Sequence, residues 1–218
     1  MFNRKNGIMI QVPYTDRSFA TTVAPGDVEN FSHSALGDIR IMGVYTGFSP
    51  DMATGFTYGL KLATGDHTYA NFDSDTEIGT GSTNLLLGGY HTGSFPQSAK
   101  WKWFVNGMMD APFKVEDGYR PGTEFDGIVG AYYHHIAVGK SQLIPIAQLI
   151  GSYRVADSGP AADEEGSGYQ RVLLAPALEI HTSQFHIYGQ IGIPIYQNVN
   201  GNQLVASQLF KVTVSHDF

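Results

Sequence analysis

The sequence predicts an all-β fold, an antiparallel up-and-down transmembrane β-barrel in a single domain over 1–218, with about 10 strands visible. Three observations predict it. Apolar and polar residues alternate with period two through long segments. Short and long connections follow one another in turn. The chain ends in a strand whose apolar positions step in twos up to Phe218. Composition agrees, because only 15% of residues are charged, against about 25% in an ordinary soluble domain. A mean hydropathy of -0.13 is too polar for a bundle of membrane helices, and no stretch approaches the ~18 apolar residues such a helix needs. A barrel wall reconciles these facts, since alternate residues face lipid and lumen.

Turn signals divide the chain into segments near 7–17, 34–47, 53–64, 78–92, 99–109, 124–138, 142–155, 169–181, 185–196 and 203–218. In the first, Ile8, Ile10, Val12 and Tyr14 share a face. In the second, Ile39, Ile41 and Tyr45 oppose Asp38 and Arg40. In the third, Phe56, Tyr58, Leu60 and Leu62 oppose Gly55, Thr57, Gly59 and Lys61. Trp101, Trp103, Val105 and Met109 oppose Lys100, Lys102, Phe104 and Asn106 in 99–109. Val172, Leu174, Leu178 and Ile180 oppose Arg171, Glu179 and His181. Ile187, Ile191, Ile193 and Ile195 oppose His186, Tyr188, Gln190 and Tyr196. Segments 78–92, 124–138 and 142–155 alternate poorly, which is expected if they pack against a plug or an inward loop.

Alternation alone does not tell inside from outside, and a soluble barrel or sandwich would carry the same period with its apolar face inward. The connections favour the membrane. Turns near 48–52, 93–98, 139–141 and 182–184 are short, whereas 18–33, 65–77, 110–123 and 156–168 are long. This is the pattern of short periplasmic turns and long outer loops. In the last strand Phe210, Val212, Val214 and His216 lie on one face with Phe218, while Lys211, Thr213, Ser215 and Asp217 lie on the other. A terminal aromatic with apolar residues at alternate positions before it resembles the signal read by the outer-membrane assembly machinery, here Phe210, Val212, Val214 and Phe218.

Charge is unevenly placed. The long loops hold most of the 20 carboxylates, Asp110 and Asp157 among them, but only Lys114 and Arg120 of the 13 bases. The remaining bases fall on the wall, and the assigned faces send Arg40, Lys61, Lys100, Lys102, Arg171 and Lys211 into the lumen. A basic, low-dielectric channel concentrates anions. Two plainer readings stand beside this one. The acids keep the loops soluble, and the lumen bases pair with Asp38, Glu179 and Asp217. The acidic loops are also candidates for divalent-cation contact at the lipopolysaccharide surface.

No catalytic constellation emerges, so the chain is not expected to be an enzyme. His134 and His135 are adjacent and point to opposite faces of a regular strand. His181 and His186 flank a short turn and face the lumen near Glu179, but their spacing matches no defined metal site. They are read as lumen-lining polar residues, with no metal and no cofactor. Gly79-Thr80-Gly81-Ser82-Thr83-Asn84 lacks the lysine and helix of a phosphate loop. Residues 66–77 lack the spacing of an EF-hand, and no basic stripe suggests nucleic acid.

Pro13-Tyr14 ends the first segment, Leu36-Gly37-Asp38-Ile39-Arg40 opens the second, and Gly59-Leu60-Lys61-Leu62-Ala63-Thr64-Gly65 precedes Ile78-Gly79-Thr80-Gly81-Ser82-Thr83-Asn84. In this order the motifs resemble those of the outer-membrane barrels grouped as the "meta-pathway of phenol degradation" family. Asn84 stands where that family commonly has aspartate, and Ala63 where it has proline. The resemblance implies a Gram-negative outer-membrane, porin-like barrel for uptake of small aromatic compounds, with lipid, lipopolysaccharide, the barrel-assembly machinery and a small solute as partners. It also implies a signal peptide and one further hairpin ahead of these residues, an intact barrel of about twelve strands.

From the residues and the resemblance together, the expected function is passive passage of small aromatic or anionic solutes. Asp38, Arg40, Lys61, Lys100, Lys102, Arg171, Glu179, His181, His186 and Lys211 would line the path. The alternative is a structural or surface-binding barrel with a filled lumen.

Overall fold

The computed structural model describes residues 5–24, 27–69, 76–134, 136–201, 203, 205 and 207–216. His135, Asp217 and Phe218 lie outside these residues. The described elements are strands: β1 (Asn6–Gln11), β2 (Tyr14–Ala24), β3 (Asp27–Leu36), β4 (Arg40–Tyr45), β5 (Thr54–Lys61), β6 (Ser82–Phe95), β7 (Ser98–Val115), β8 (Glu124–Tyr133), β9 (Ile136–Val138), β10 (Ser141–Arg154), β11 (Tyr169–His181), β12 (Phe185–Val199) and β13 (Leu209–His216). All pairings are antiparallel, and the main sheet runs β1-β4-β5-β6-β7-β8-β10-β11-β12-β13, with the short β9 beside β10. Each of the ten strands on this path falls on one of the ten segments read from the sequence. No β1–β13 pairing occurs among the described residues.

Two expected loops are strand in part. Residues 18–24 and 27–33 belong to the β2–β3 hairpin, where Phe19 lies opposite Phe31 with ring centroids 5.7 Å apart. Proline lacks an amide hydrogen, so Pro13 breaks β1 from β2. Its carbonyl still accepts from the Gly37 amide at 2.9 Å, joining the two halves of one long bent hairpin. Similarly, β7 continues to Val115, because Asp110 and Pro112 remain paired with β6.

Side chains divide sharply between the two faces. On one, Phe56, Trp101, Val129 and Ile191 are 41%, 47%, 55% and 44% exposed. On the other, Thr57, Lys61, Asn84 and Asp110 are buried. A soluble sheet would do the reverse, since burying charge without pairing is costly and exposing large apolar surface is unfavourable. The buried face is also the inner one. Side chains of β6 and β11, which have three strands between them on the path, line a common cavity. Residues of β13 line another together with β2 of the separate β2–β3 hairpin.

Aromatic rings mark the ends of the apolar face. Trp101 meets Tyr133 edge-on at 5.3 Å near the short turns, and Phe125 stacks on Tyr153 at 6.4 Å near the long loops. The eight steps from Phe125 to Tyr133 span about 27 Å along the strand at ~3.4 Å per residue. Allowing for a tilt of roughly 40°, this approaches the apolar band of about 25 Å between the aromatic girdles of a membrane barrel. One assigned face changes. A bulge in β12 sets Pro194 opposite Leu173 but Tyr196 opposite Val172, which turns Tyr196 from the polar face to the apolar one.

Candidate functional site

The inner face carries three groups in sequence from the long-loop end to the short-turn end. The first is a buried polar chain. Gly37, Gly65 and Gly79 meet backbone to backbone: a Cβ on Gly79 would lie 2.4 Å from the carbonyl of Gly65. This close approach surrounds the Asp38 carboxylate with donors. Gly65 N donates to Oδ1 at 3.0 Å, and Thr80 donates to Oδ2 through N at 3.0 Å and Oγ1 at 2.6 Å. The chain runs on through Ser82 Oγ, 2.9 Å from Thr80 Oγ1, to Asn84 Oδ1 at 2.6 Å. Asn84 Nδ2 donates to Asp110 Oδ1, whose other oxygen lies 3.5 Å from Lys61 Nζ and 3.3 Å from an Arg40 nitrogen. The sequence reading put Asp110 in an acidic loop. Its place on β7 makes it instead a counter-ion shared by two wall bases, Arg40 and Lys61.

The second group is the cavity of about 560 Å³ between β6 and β11. Phe104, Ile128, Tyr132, Ile144 and Ile146 form its apolar wall, with Lys102 and His134 among its polar residues. These residues explain the poor alternation of 124–138 and 142–155: apolar side chains occupy both faces, Ile128 inward beside Val129 outward. Leu86, fully buried between Leu85 and Leu87, does the same in β6. Above the cavity, Gln148 donates to the Tyr188 hydroxyl at 2.6 Å, and Tyr188 donates to Gln190 at 2.6 Å.

The third group sits at the β11–β12 turn. His181 and His186 are cross-strand partners with ring centroids 3.9 Å apart, and Glu179 Oε1 lies 2.8 Å from His181 Nε2 and 3.8 Å from His186 Nδ1. Of the other expected path residues, Lys100 shares the inner face with Lys102 on β7. Lys211 pairs with Gln190 on the exposed β13, and Arg171 packs its guanidinium 5.1 Å over the Tyr169 ring in the cavity that includes β2 and β13. Phe210, Val212 and Val214 are exposed on the opposite face of β13.

At the long-loop rim a clamp that sequence reasoning missed holds two loops together. Asp157, side chain 1% exposed, accepts from Tyr119 Oη at 2.6 Å, Gly122 N at 2.7 Å and Arg154 at 2.6 Å. Its own amide donates to Ser167 Oγ at 2.9 Å. Burial, then the bond to Asp157, pushes the Tyr119 phenol well above its ordinary range. Nothing in the spacing of 119, 122, 154 and 157 signals this contact, because the pairing of β8 with β10 creates it.

No family model matches the sequence, and no curated protein does. Among solved structures, the fold is similar to the crystal structure of the COG4313 outer membrane channel from Pseudomonas putida F1, with a TM-score of 0.67 at 12% identity, over 98% of this chain and 77% of that one. At that identity the likeness is one of fold. The all-β antiparallel architecture expected from the sequence therefore has a membrane channel as a structural neighbour.

Proposed function

We propose that this chain is an outer-membrane β-barrel that passes small amphipathic solutes, aromatic acids being the class that its inner face fits best. The observation that carries the reading is the reversed polarity: Phe56, Val129 and Ile191 are exposed while Lys61, Asn84 and Asp110 are buried. The bilayer would cover the first set and the barrel would close around the second. Within the inner cavity, Phe104, Tyr132 and the isoleucines offer an apolar surface to a ring, and Lys102 offers a cation to a carboxylate. Arg40 and Lys61 serve in the paired network that shapes the outer lumen. Terminal-strand residues Phe210, Val212, Val214 and Phe218 would be the assembly signal, and the acidic rim would meet lipopolysaccharide.

Purified protein in planar bilayers should give discrete conductance steps, and loaded liposomes should take up benzoate faster than empty ones. Lys102→Ala should slow that uptake while leaving a neutral solute of similar size unaffected. The second reading is a structural barrel with a filled lumen, favoured by the continuous network from Asp38 to Lys61. Absence of both conductance and uptake would select it over passage.

A further inference from the structure

The geometry points to a divalent transition-metal site, of the kind that takes zinc, formed by Glu179, His181 and His186 at the short-turn end of the inner face. One carboxylate oxygen and one nitrogen from each imidazole all lie within 4.8 Å of one another. With metal–ligand bonds of about 2.0–2.1 Å, tetrahedral ligand atoms sit about 3.4 Å apart. The separations of 2.8 Å from His181 and 3.8 Å from His186 to Glu179 bracket that value, so small side-chain rotations suffice. Two imidazoles and a carboxylate form a donor set that zinc, nickel and copper favour, with a fourth position left for solvent.

The hairpin holds these ligands before any metal arrives. His181 and His186 are directly opposed in the β11–β12 register, and Glu179 lies two residues along the same face. The turn between them is closed by Thr182, whose amide donates to Phe185 O at 2.8 Å and whose Oγ1 accepts from Phe185 N at 2.9 Å. Ligands fixed on paired strands lose little freedom on binding. The three side chains are 26–30% exposed, so an ion and its water can enter. The β6–β11 cavity that Glu179 and His181 help to line also carries Lys102, His134, Tyr90 and Tyr132 as its other cationic or titratable groups. The sequence places His181 and His186 across a short turn near Glu179, but their linear spacing matches no defined zinc motif. The cross-strand register is what makes the spacing appropriate. The site stands apart from the solute-passage reading, because metal binding and conductance can each fail without the other.

The test is a zinc titration by calorimetry of untagged, detergent-folded protein stripped with EDTA. Wild type should bind close to one zinc per chain in a saturable step. H181A and H186A should each weaken binding by more than the ~10–100-fold that loss of an outer-shell partner costs. E179Q should weaken it as well, and H33A, at a β3 histidine paired with Asp66 and outside the site, should not. Far-UV circular dichroism with the β signature intact identifies folded variants, and E179Q, nearly isosteric, keeps the test available if a histidine variant misfolds. A wild type without a saturable site, or an H181A/H186A double variant that binds zinc as tightly as wild type, overturns the inference.

Discussion

Asp110→Asn is a near-isosteric change that removes one charge from the inner network and leaves its shape. Asn84 Nδ2 can still donate to Oδ1 at position 110, so the hydrogen-bonded chain from Asp38 survives. What is lost is the counter-ion of Lys61, whose side chain is 9% exposed and 3.5 Å away. Two unit charges at that distance attract by about 5 kcal/mol at an effective dielectric of ~20. Arg40, at 37% side-chain exposure, contributes much less because water screens it. Leaving a buried lysine unpaired costs about 3–5 kcal/mol. Equilibrium guanidinium unfolding of the folded protein, followed by the fluorescence of Trp101 and Trp103, should show a loss in that range. K61M/D110N should recover most of it, because replacing both members of a buried pair is often near neutral. A loss under about 1 kcal/mol, the size of an exposed pair, would mean that the network is solvated and not structural.

Two further outcomes follow from the same arrangement. Val129→Arg places a charge midway between Phe125 and Tyr133 on the apolar face, and should cost about 2–4 kcal/mol in lipid; Ile128→Arg, turned to the inner cavity, should cost less, and the opposite order would reverse the assignment of faces. Glu77 is buried in a loop, its Oε2 has no hydrogen-bond partner among the described residues, and burial raises its carboxyl above the usual glutamate range. Its contribution to stability is therefore fully present below the unfolded-state value and lost as pH rises through the raised native one, so Glu77→Gln should stabilise at pH 7 and be neutral near pH 4 in unfolding titrations.

The strands were legible where one face is apolar and the other polar, as in Phe56, Tyr58 and Leu60 against Thr57 and Lys61. They were legible in outline only where the lumen itself is apolar. Ile128, Ile144 and Ile146 on β8 and β10 blur the period, and the blur that suggested a plug marks a cavity wall. The β2–β3 hairpin escaped because Arg17, Ser18, Asp16 and Ser34 give it the polarity of a loop, while its pairing depends on contacts such as Ser34 Oγ to Asp16 at 2.9 Å. The motif residues Gly37, Asp38, Gly65, Thr80 and Asn84 were visible in the sequence. Their purpose was not, since only the folded chain brings segments 42 residues apart onto one carboxylate. Likewise the Asp157 clamp and the Tyr196 bulge arise from strand register, which local composition does not specify.

The face bearing Phe56, Trp101 and Val129 is expected to meet lipid. The chain has 2 tryptophans, and both lie on that face of β7. Their fluorescence in liposomes containing brominated lipid, compared with iodide in the aqueous phase, measures this directly. Strong quenching by the brominated chains with little by iodide is the predicted result. Efficient iodide quenching with none from the lipid would contradict it.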